Sequence, residues 1–273
     1  MSEGISVLTE DVTLGLGPLE IHHPRGTFAL TPASLTAVEA IGRNQDRFRG
    51  VGLDWGSGSG VLAIAAARIG DVDEVVGLEL EPANVRIARV NAERNGVGNK
   101  ARFLVADSYT PRSPSGRAVL AALEGRVDFI VANPPSSSPV DDGFGLRREV
   151  VRGAGRFLKT GGILALSVSR QYGTSRVMGL LDLDPTLEYA GVLASTGWVS
   201  FDMGRPDLLT DVEGYAAEEE RGGLPYVFRH PEHPGRDLTA IQARDHYRAT
   251  GASPLSRWQS HLFVRARCRN GRE

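Results

Sequence analysis

The sequence predicts an α/β protein built on a doubly wound, mostly parallel sheet, with an amino-terminal extension and an insert before the last strand. Three observations predict it. Apolar, strand-like runs alternate with segments of helical spacing between Val51 and Val168, the signature of a parallel sheet covered by helices. The first run passes through a turn with glycine at every second position, Gly56, Gly58 and Gly60, into the small-and-aliphatic stretch from Val61 to Ala67. Acids also stand at the ends of three consecutive predicted strands, where an open parallel sheet gathers its ligands.

The elements follow in order. The first fifty residues begin polar and irregular, with His22-His23-Pro24-Arg25-Gly26 as a loop signal. Pro32 suits the first turn of a helix over 33–41, because its missing N–H costs nothing there. The first strand ends at Asp54, and a buried helix covers 61–67. A second strand over 74–80 precedes a helix started by Pro82 and stopped by Asn95-Gly96, a pair that accepts left-handed geometry. The third strand, 102–106, ends at Asp107. After a Pro- and Ser-rich loop and a short helix over 119–123, a fourth strand over 127–132 runs into Asn133-Pro134-Pro135. A helix over 145–159 presents Leu146, Val150, Val151 and Phe157 on or near one face, and 163–168 is the fifth strand. Helices over 174–181 and 187–194, a sixth strand over 197–201 and a last strand over 260–266 complete the pattern. These divide the chain into an extension with a covering helix (1–45), a core (46–201), an insert expected to act as a substrate-side lid (202–259), and the last strand with its tail (260–273). A connection as long as that insert is usually functional.

Composition narrows the classes. The chain has 273 residues, 41% hydrophobic and 23% charged, as in an ordinary globular protein. No run of eighteen apolar residues exists, and Met1-Ser2-Glu3-Gly4 lacks a basic-then-apolar leader, so a cytoplasmic location with no membrane partner is expected. The single cysteine, Cys268, excludes an intrachain disulfide and reads as a packed small residue. The six histidines are scattered, and no metal is expected. A net charge of −2 provides no overall basic field, which disfavours a nucleic acid partner and favours a protein or small-molecule one. The oligomeric state stays open.

The glycine spacing selects among nucleotide-binding turns. A dinucleotide fingerprint would need glycine at Val61, and no Gly-Lys-Ser/Thr ending marks a phosphate loop. What stands there, Asp54-Trp55-Gly56-Ser57-Gly58-Ser59-Gly60, resembles the first motif of the class I S-adenosylmethionine-dependent methyltransferases. The resemblance covers about residues 27 to 170 and implies a Rossmann-like, seven-stranded sheet with S-adenosylmethionine as cofactor. It also implies cofactor contacts from Asp54, Gly56, Ser57, Gly58, Gly60, Glu79, Leu80, Asp107, Ser108 and Asn133. Asp54 would orient the methionine end and Asp107 would accept from the adenine amino group. Glu79 would hold the ribose hydroxyls, in preference to Glu81, because it closes the second strand as the ribose-binding acid does in dinucleotide folds.

Asn133-Pro134-Pro135 resembles the N-P-P-[YF] motif of class I enzymes that methylate a planar nitrogen, among them release factor glutamine methyltransferases and adenine amine methyltransferases. An amide or aryl amine has a delocalised lone pair and is a weak nucleophile. The resemblance implies that the Asn133 side-chain oxygen and the Pro134 carbonyl accept from its N–H groups, while the prolines, Pro135 included, fix the turn. The fourth residue is Ser136 where the family has an aromatic, so a stacking ring is expected from Phe144, Tyr226, Phe228 or Trp258, with Phe28 helping to close the pocket. Methyl transfer to a protein glutamine or a metabolite nitrogen is the leading expectation. A nucleic acid amine methyltransferase and a catalytically inactive cofactor-binding subunit are the alternatives.

Overall fold

The computed structural model describes residues 4–24, 30–136 and 142–266; Phe28 and Cys268 lie outside them. The amino-terminal extension is ordered secondary structure: β1 (Gly4–Leu8), α1 (Glu10–Thr13) and β2 (Leu19–His23), the two strands pairing antiparallel. α2 (Pro32–Arg43) follows, with Thr31 and Ser34 forming a reciprocal capping box in which each side chain meets the other residue's backbone N–H.

The core then alternates as expected. β3 (Gly50–Trp55), α3 (Val61–Ala67), β4 (Val72–Glu79), α4 (Pro82–Arg94), β5 (Ala101–Asp107), a short β6 (Thr110–Pro111) and α5 (Pro114–Ala121) lead to β7 (Val127–Ala132). α6 (Gly145–Phe157), β8 (Leu158–Ser169), α7 (Gly173–Met178) and β9 (Leu187–Ser195) follow. The insert carries β10 (Val199–Ser200), α8 (Pro206–Glu220), β11 (Phe228–Arg229), β12 (Asp237–Leu238), α9 (Ala240–Thr250) and β13 (Leu255–Ser256) before the closing β14 (Trp258–Arg265).

The main sheet runs β6-β5-β4-β3-β7-β8-β14-β9. Strands β5, β4, β3, β7 and β8 are mutually parallel, and β14 lies antiparallel between β8 and β9. Seven strands carry the sheet and the two-residue β6 adds an antiparallel edge. Strand order reverses between β3 and β7, so the crevice at their carboxyl ends is the switch point where ligands bind in such sheets. Two apolar clusters cover the faces. One joins α2, α3 and α4 to the sheet through Val38, Ile64, Ala88 and Leu262. The other joins α6, α7 and the insert through Val150, Phe157, Val177, Val212 and Phe263.

Three sequence expectations are corrected. Residues 187–194 are not a helix but β9, whose side chains alternate in exposure beside β14. Residues 197–201 are not the sixth core strand, since β10 belongs to a separate four-stranded sheet, β10-β13-β11-β12, built by the insert. The insert also holds α8, which its charged sequence concealed.

α4 ties the extension to the core by two asparagines. The fully buried Asn91 accepts from the His22 backbone N–H at 3.0 Å and donates to the His22 carbonyl at 3.0 Å and the Ser59 carbonyl at 2.9 Å. Asn95 likewise accepts from Glu20 N–H and donates to the Glu20 carbonyl. One side chain thus bridges β2 and the glycine turn.

Candidate active site at the switch point

The glycine turn is held in a shape that only glycine adopts easily: Gly56, Gly58 and Gly60 all have positive φ, at 70°, 52° and 89°. A Cβ at Gly56 or Gly58 would meet no atom within 4 Å, so these backbone faces are open, whereas one at Gly60 would press on Ala88 and Phe103 at 3.0 Å. Gly60 serves close packing of α3 and the other two keep the turn bare. Trp55 pairs with Ala132, which brings the start of the turn level with Asn133 across the switch point.

Asp54 is buried beneath this turn. Its Oδ2 accepts from the Ala63 N–H at 2.9 Å at the start of α3, while Oδ1 has no partner among the described residues. Burial, reinforced by the Glu79 carboxylate and opposed by the Ala63 N–H, pushes its carboxyl up to about 7. Ser57 Oγ is likewise buried and unpartnered. Buried polar atoms without partners are rare, and these two sit where a ligand carrying an ammonium group would satisfy them.

Glu79 spans two turns. Its Oε2 accepts from Gly58 N–H at 2.9 Å and its Oε1 from Glu81 N–H at 2.9 Å and Asn84 Nδ2 at 3.1 Å. Glu81 contributes only its backbone to this arrangement. Leu80 is 43% exposed, an unusual position for leucine just past a buried strand end. Asp107 is exposed, and Ser108 next to it takes φ of 52°, strained for a residue with a Cβ. The Trp55 indole N–H donates to Ser108 Oγ at 3.0 Å and stabilises that conformation. Asp54, Glu79, Leu80, Asp107 and Ser108 therefore stand at the carboxyl ends of β3, β4 and β5.

Asn133 leaves β7 toward α2. Its Nδ2 donates to Ser34 Oγ at 3.3 Å, and Oδ1 has no hydrogen-bond partner among the described residues. The two prolyl carbonyls both meet Arg147. Arg147, buried on α6, donates to Pro134 O at 3.0 Å, Pro135 O at 3.2 Å and Ser167 O at 3.2 Å, and packs 4.9 Å from the Tyr172 ring centroid. The Pro134 carbonyl thus anchors the loop to α6. A charged residue on the apolar face that carries Val150, Val151 and Ala154 is the sequence signal that would have revealed Arg147.

Ser136 meets two tyrosine hydroxyls, Tyr172 at 3.0 Å and Tyr215 of α8 at 3.3 Å, themselves 3.0 Å apart. Phe144, Tyr226 and Phe228 are fully buried. Tyr226 stacks on Tyr215 at 4.2 Å and donates to the Asp142 carbonyl, Phe144 packs on Tyr172, and Phe228 packs on Phe201. Tyr172, Tyr215 and Phe201 pack against these three buried rings. Trp258 opens β14 opposite Ser169 and is half-buried on the same sheet face as Leu262, the face that α2 covers. The insert is locked to this region by Arg176, which donates to Leu224 O, Pro225 O and Tyr172 O, pairs with Asp142 at 3.3 Å and lies 3.9 Å from the Tyr226 centroid. Burial works against ionisation of Asp142, but Arg148 and Arg176 outweigh it and hold the carboxyl below its usual range. Among the described residues no group of His, Cys, Asp and Glu could hold a metal ion, and no helix is long and apolar enough to cross a membrane.

Comparison with known proteins gives a consistent picture. The family model described as Methyltransferase small domain matches residues 21–196. A ribosomal protein L11 methyltransferase of Dechloromonas aromatica is 42% identical over 102 residues, 37% of this chain and 29% of that protein. A release factor glutamine methyltransferase of Mycobacterium leprae is 29% identical over 177 residues, 56% of this chain and 58% of that protein. Among solved structures, the T. thermophilus 16S rRNA N2 G1207 methyltransferase in complex with AdoMet and guanosine superposes with a TM-score of 0.52 and 27% identity. That match covers 69% of this chain and 47% of the other. The chain therefore spans less than two-thirds of the length of each of these proteins.

Proposed function

Since the chain belongs to the methyltransferase small domain family, we propose that it is an S-adenosylmethionine-dependent enzyme methylating a planar or amide nitrogen in a protein glutamine or a small metabolite. The observation that carries the reading is Asn133: its amide nitrogen meets Ser34 and its carbonyl oxygen has no partner among the described residues, level with the start of the open glycine turn. The cofactor supplies an activated sulfonium methyl, so the protein needs no strong base. Asn133 Oδ1 accepts an N–H of the acceptor, fixes its direction and favours positive charge on its nitrogen as that charge develops. Asp54 and Ser57 fit the ammonium end of the cofactor, the bare backbone of Gly56 and Gly58 lets it lie close, and Glu79, Leu80, Asp107 and Ser108 fit its nucleoside end. Gly60 closes the turn onto α4. Pro134 and Pro135 shape the loop under the hold of Arg147, and Trp258 is the ring left to line the acceptor. The insert, anchored through Tyr215 and Arg176, is a fixed cap over the Ser136 loop more than a swinging lid.

A second reading, methylation of a nucleic acid amine, is favoured by the likeness to the 16S rRNA enzyme. Against it, three of the insert arginines are spent in ion pairs: Arg221 with Glu218, Arg244 with Glu220 and Arg248 with Glu213. Release factor, ribosomal protein L11 and 16S rRNA fragments offered with isotopically labelled cofactor separate the readings. Label in a protein or free amide supports the first. Label in RNA, with affinity falling steeply in salt, supports the second. Cofactor binding without transfer to any acceptor would indicate an inactive subunit. Asn133→Ala is expected to abolish transfer, by 100-fold or more on the order of an oxyanion-type donor loss, while cofactor affinity stays within a few-fold. A large loss of cofactor binding in calorimetry would refute the assignment of Asn133.

A further inference from the structure

Between α7 and the β14–β9 edge lies a cavity of about 280 Å³, separate from the glycine turn and from Asn133. Its floor is one row of β14. Alternate residues of a strand share a face, and on this face Phe263 packs into the apolar core beside Leu187 and Val177. A row that covers a core should stay apolar. This one instead continues as His261, Gln259 and Arg257 toward the carboxyl end of β8, with Arg170 and Thr174 completing the wall. Among the described residues, no carboxylate lines the space.

The side chains present donors. Burial, with the charge of Arg147 adding to it, pulls His261 down to about 4, so the ring is neutral at pH 7. Burial likewise keeps the Tyr189 hydroxyl protonated, and it lies 3.1 Å from His261 Nδ1. Arg257 stacks 4.8 Å from the Trp198 centroid, and its buried Nε has no hydrogen-bond partner among the described residues. Stacking occupies the face of a guanidinium and leaves its in-plane donors free. A buried donor without a partner marks a place for an acceptor.

The geometry points to a phosphate-binding site in this cavity, with Arg170 and Arg257 supplying the charge and Gln259 and Thr174 supplying neutral donors beside the His261 ring. A phosphate, with more oxygens than a carboxylate, matches so many donors. The volume suits a small phosphorylated molecule, and the ion-paired arginines of the insert provide no continuing track for a nucleic acid backbone.

Titration of the full chain with inorganic phosphate and with ribose 5-phosphate, at constant ionic strength set by chloride, tests the site. Saturable binding is expected, with amide shifts confined to 169–174, 189–192 and 257–261. Arg170→Gln and Arg257→Gln should each weaken phosphate binding about tenfold, as loss of one charge-assisted contact does. S-adenosylmethionine affinity should be unchanged in both, which also reports that they fold. Absence of saturable binding, shifts centred elsewhere, or equal affinity in the Arg170→Gln variant would overturn the proposal.

Discussion

A buried carboxylate with one unpartnered oxygen has its charge set by whatever arrives beside it, and Asp54 is in that position. Its carboxyl is pushed up to about 7 from an ordinary value of 3.8, so the folded chain keeps a proton that the unfolded chain releases. Raising the pH from about 4 to about 7 therefore favours unfolding through this group, and above about 7 its contribution levels off. Urea denaturation at pH 5.5 and 7.5 should show wild type losing stability relative to Asp54→Asn as pH rises; a difference independent of pH would refute this reading. Ser34 acts through another residue. Without its hydroxyl the Asn133 side chain loses the hydrogen bond that positions it, so Ser34→Ala should lower kcat about tenfold, near 1.4 kcal/mol, with little change in cofactor KM. Ser34→Thr, which keeps the hydroxyl, should recover part of the rate. A change in KM alone would mean that Ser34 shapes the cofactor pocket instead.

At the scale of elements, the insert depends on one buried cation. Arg176 satisfies the Leu224 and Pro225 carbonyls, which join α8 to β11, and pairs with Asp142 ahead of α6. Arg176→Met should cost about 3 kcal/mol, because it strands buried carbonyls and a carboxylate together. Limited proteolysis should then cut first within 202–257, and uniform cleavage across the chain would count against a local anchor. The core strands were legible in sequence because β3, β4 and β7 are buried apolar runs ended by Asp54, Glu79 and Asn133. β9 was misread because Leu187, Gly191 and Ala194 mimic helical spacing, and only pairing with β14, distant in sequence, reveals the strand. α8 was missed because its Glu218-Glu219-Glu220 end looks like a solvated loop, although Glu219 receives the N–H groups of Tyr226, Ala240 and Ile241. The acids of the cofactor edge could be read from strand ends. Ser34 and Tyr215 could not, because each reaches the Asn133–Ser136 loop only through tertiary packing, and Arg147 was signalled only by a charge on the apolar face of α6.

For the whole molecule, the two faces of the sheet do different work. The α2–α3–α4 face carries the proposed cofactor edge and Asn133, while the α6–α7 face carries the aromatic cluster and the insert. The amino-terminal hairpin belongs to the first face, and Asn91 joins it to the glycine turn by three hydrogen bonds. Asn91→Ala should cost about 2–3 kcal/mol of stability and weaken cofactor binding several-fold, measured by thermal denaturation and calorimetry. Normal affinity in a destabilised variant would separate the two roles. If the roles are joined, the coupling is reciprocal: whatever the docked hairpin adds to cofactor affinity, the cofactor must return as hairpin stability. Amide exchange in β1 and β2, strands that touch no part of the proposed cofactor edge, would then slow when the cofactor binds, making the far end of the chain a reporter of occupancy.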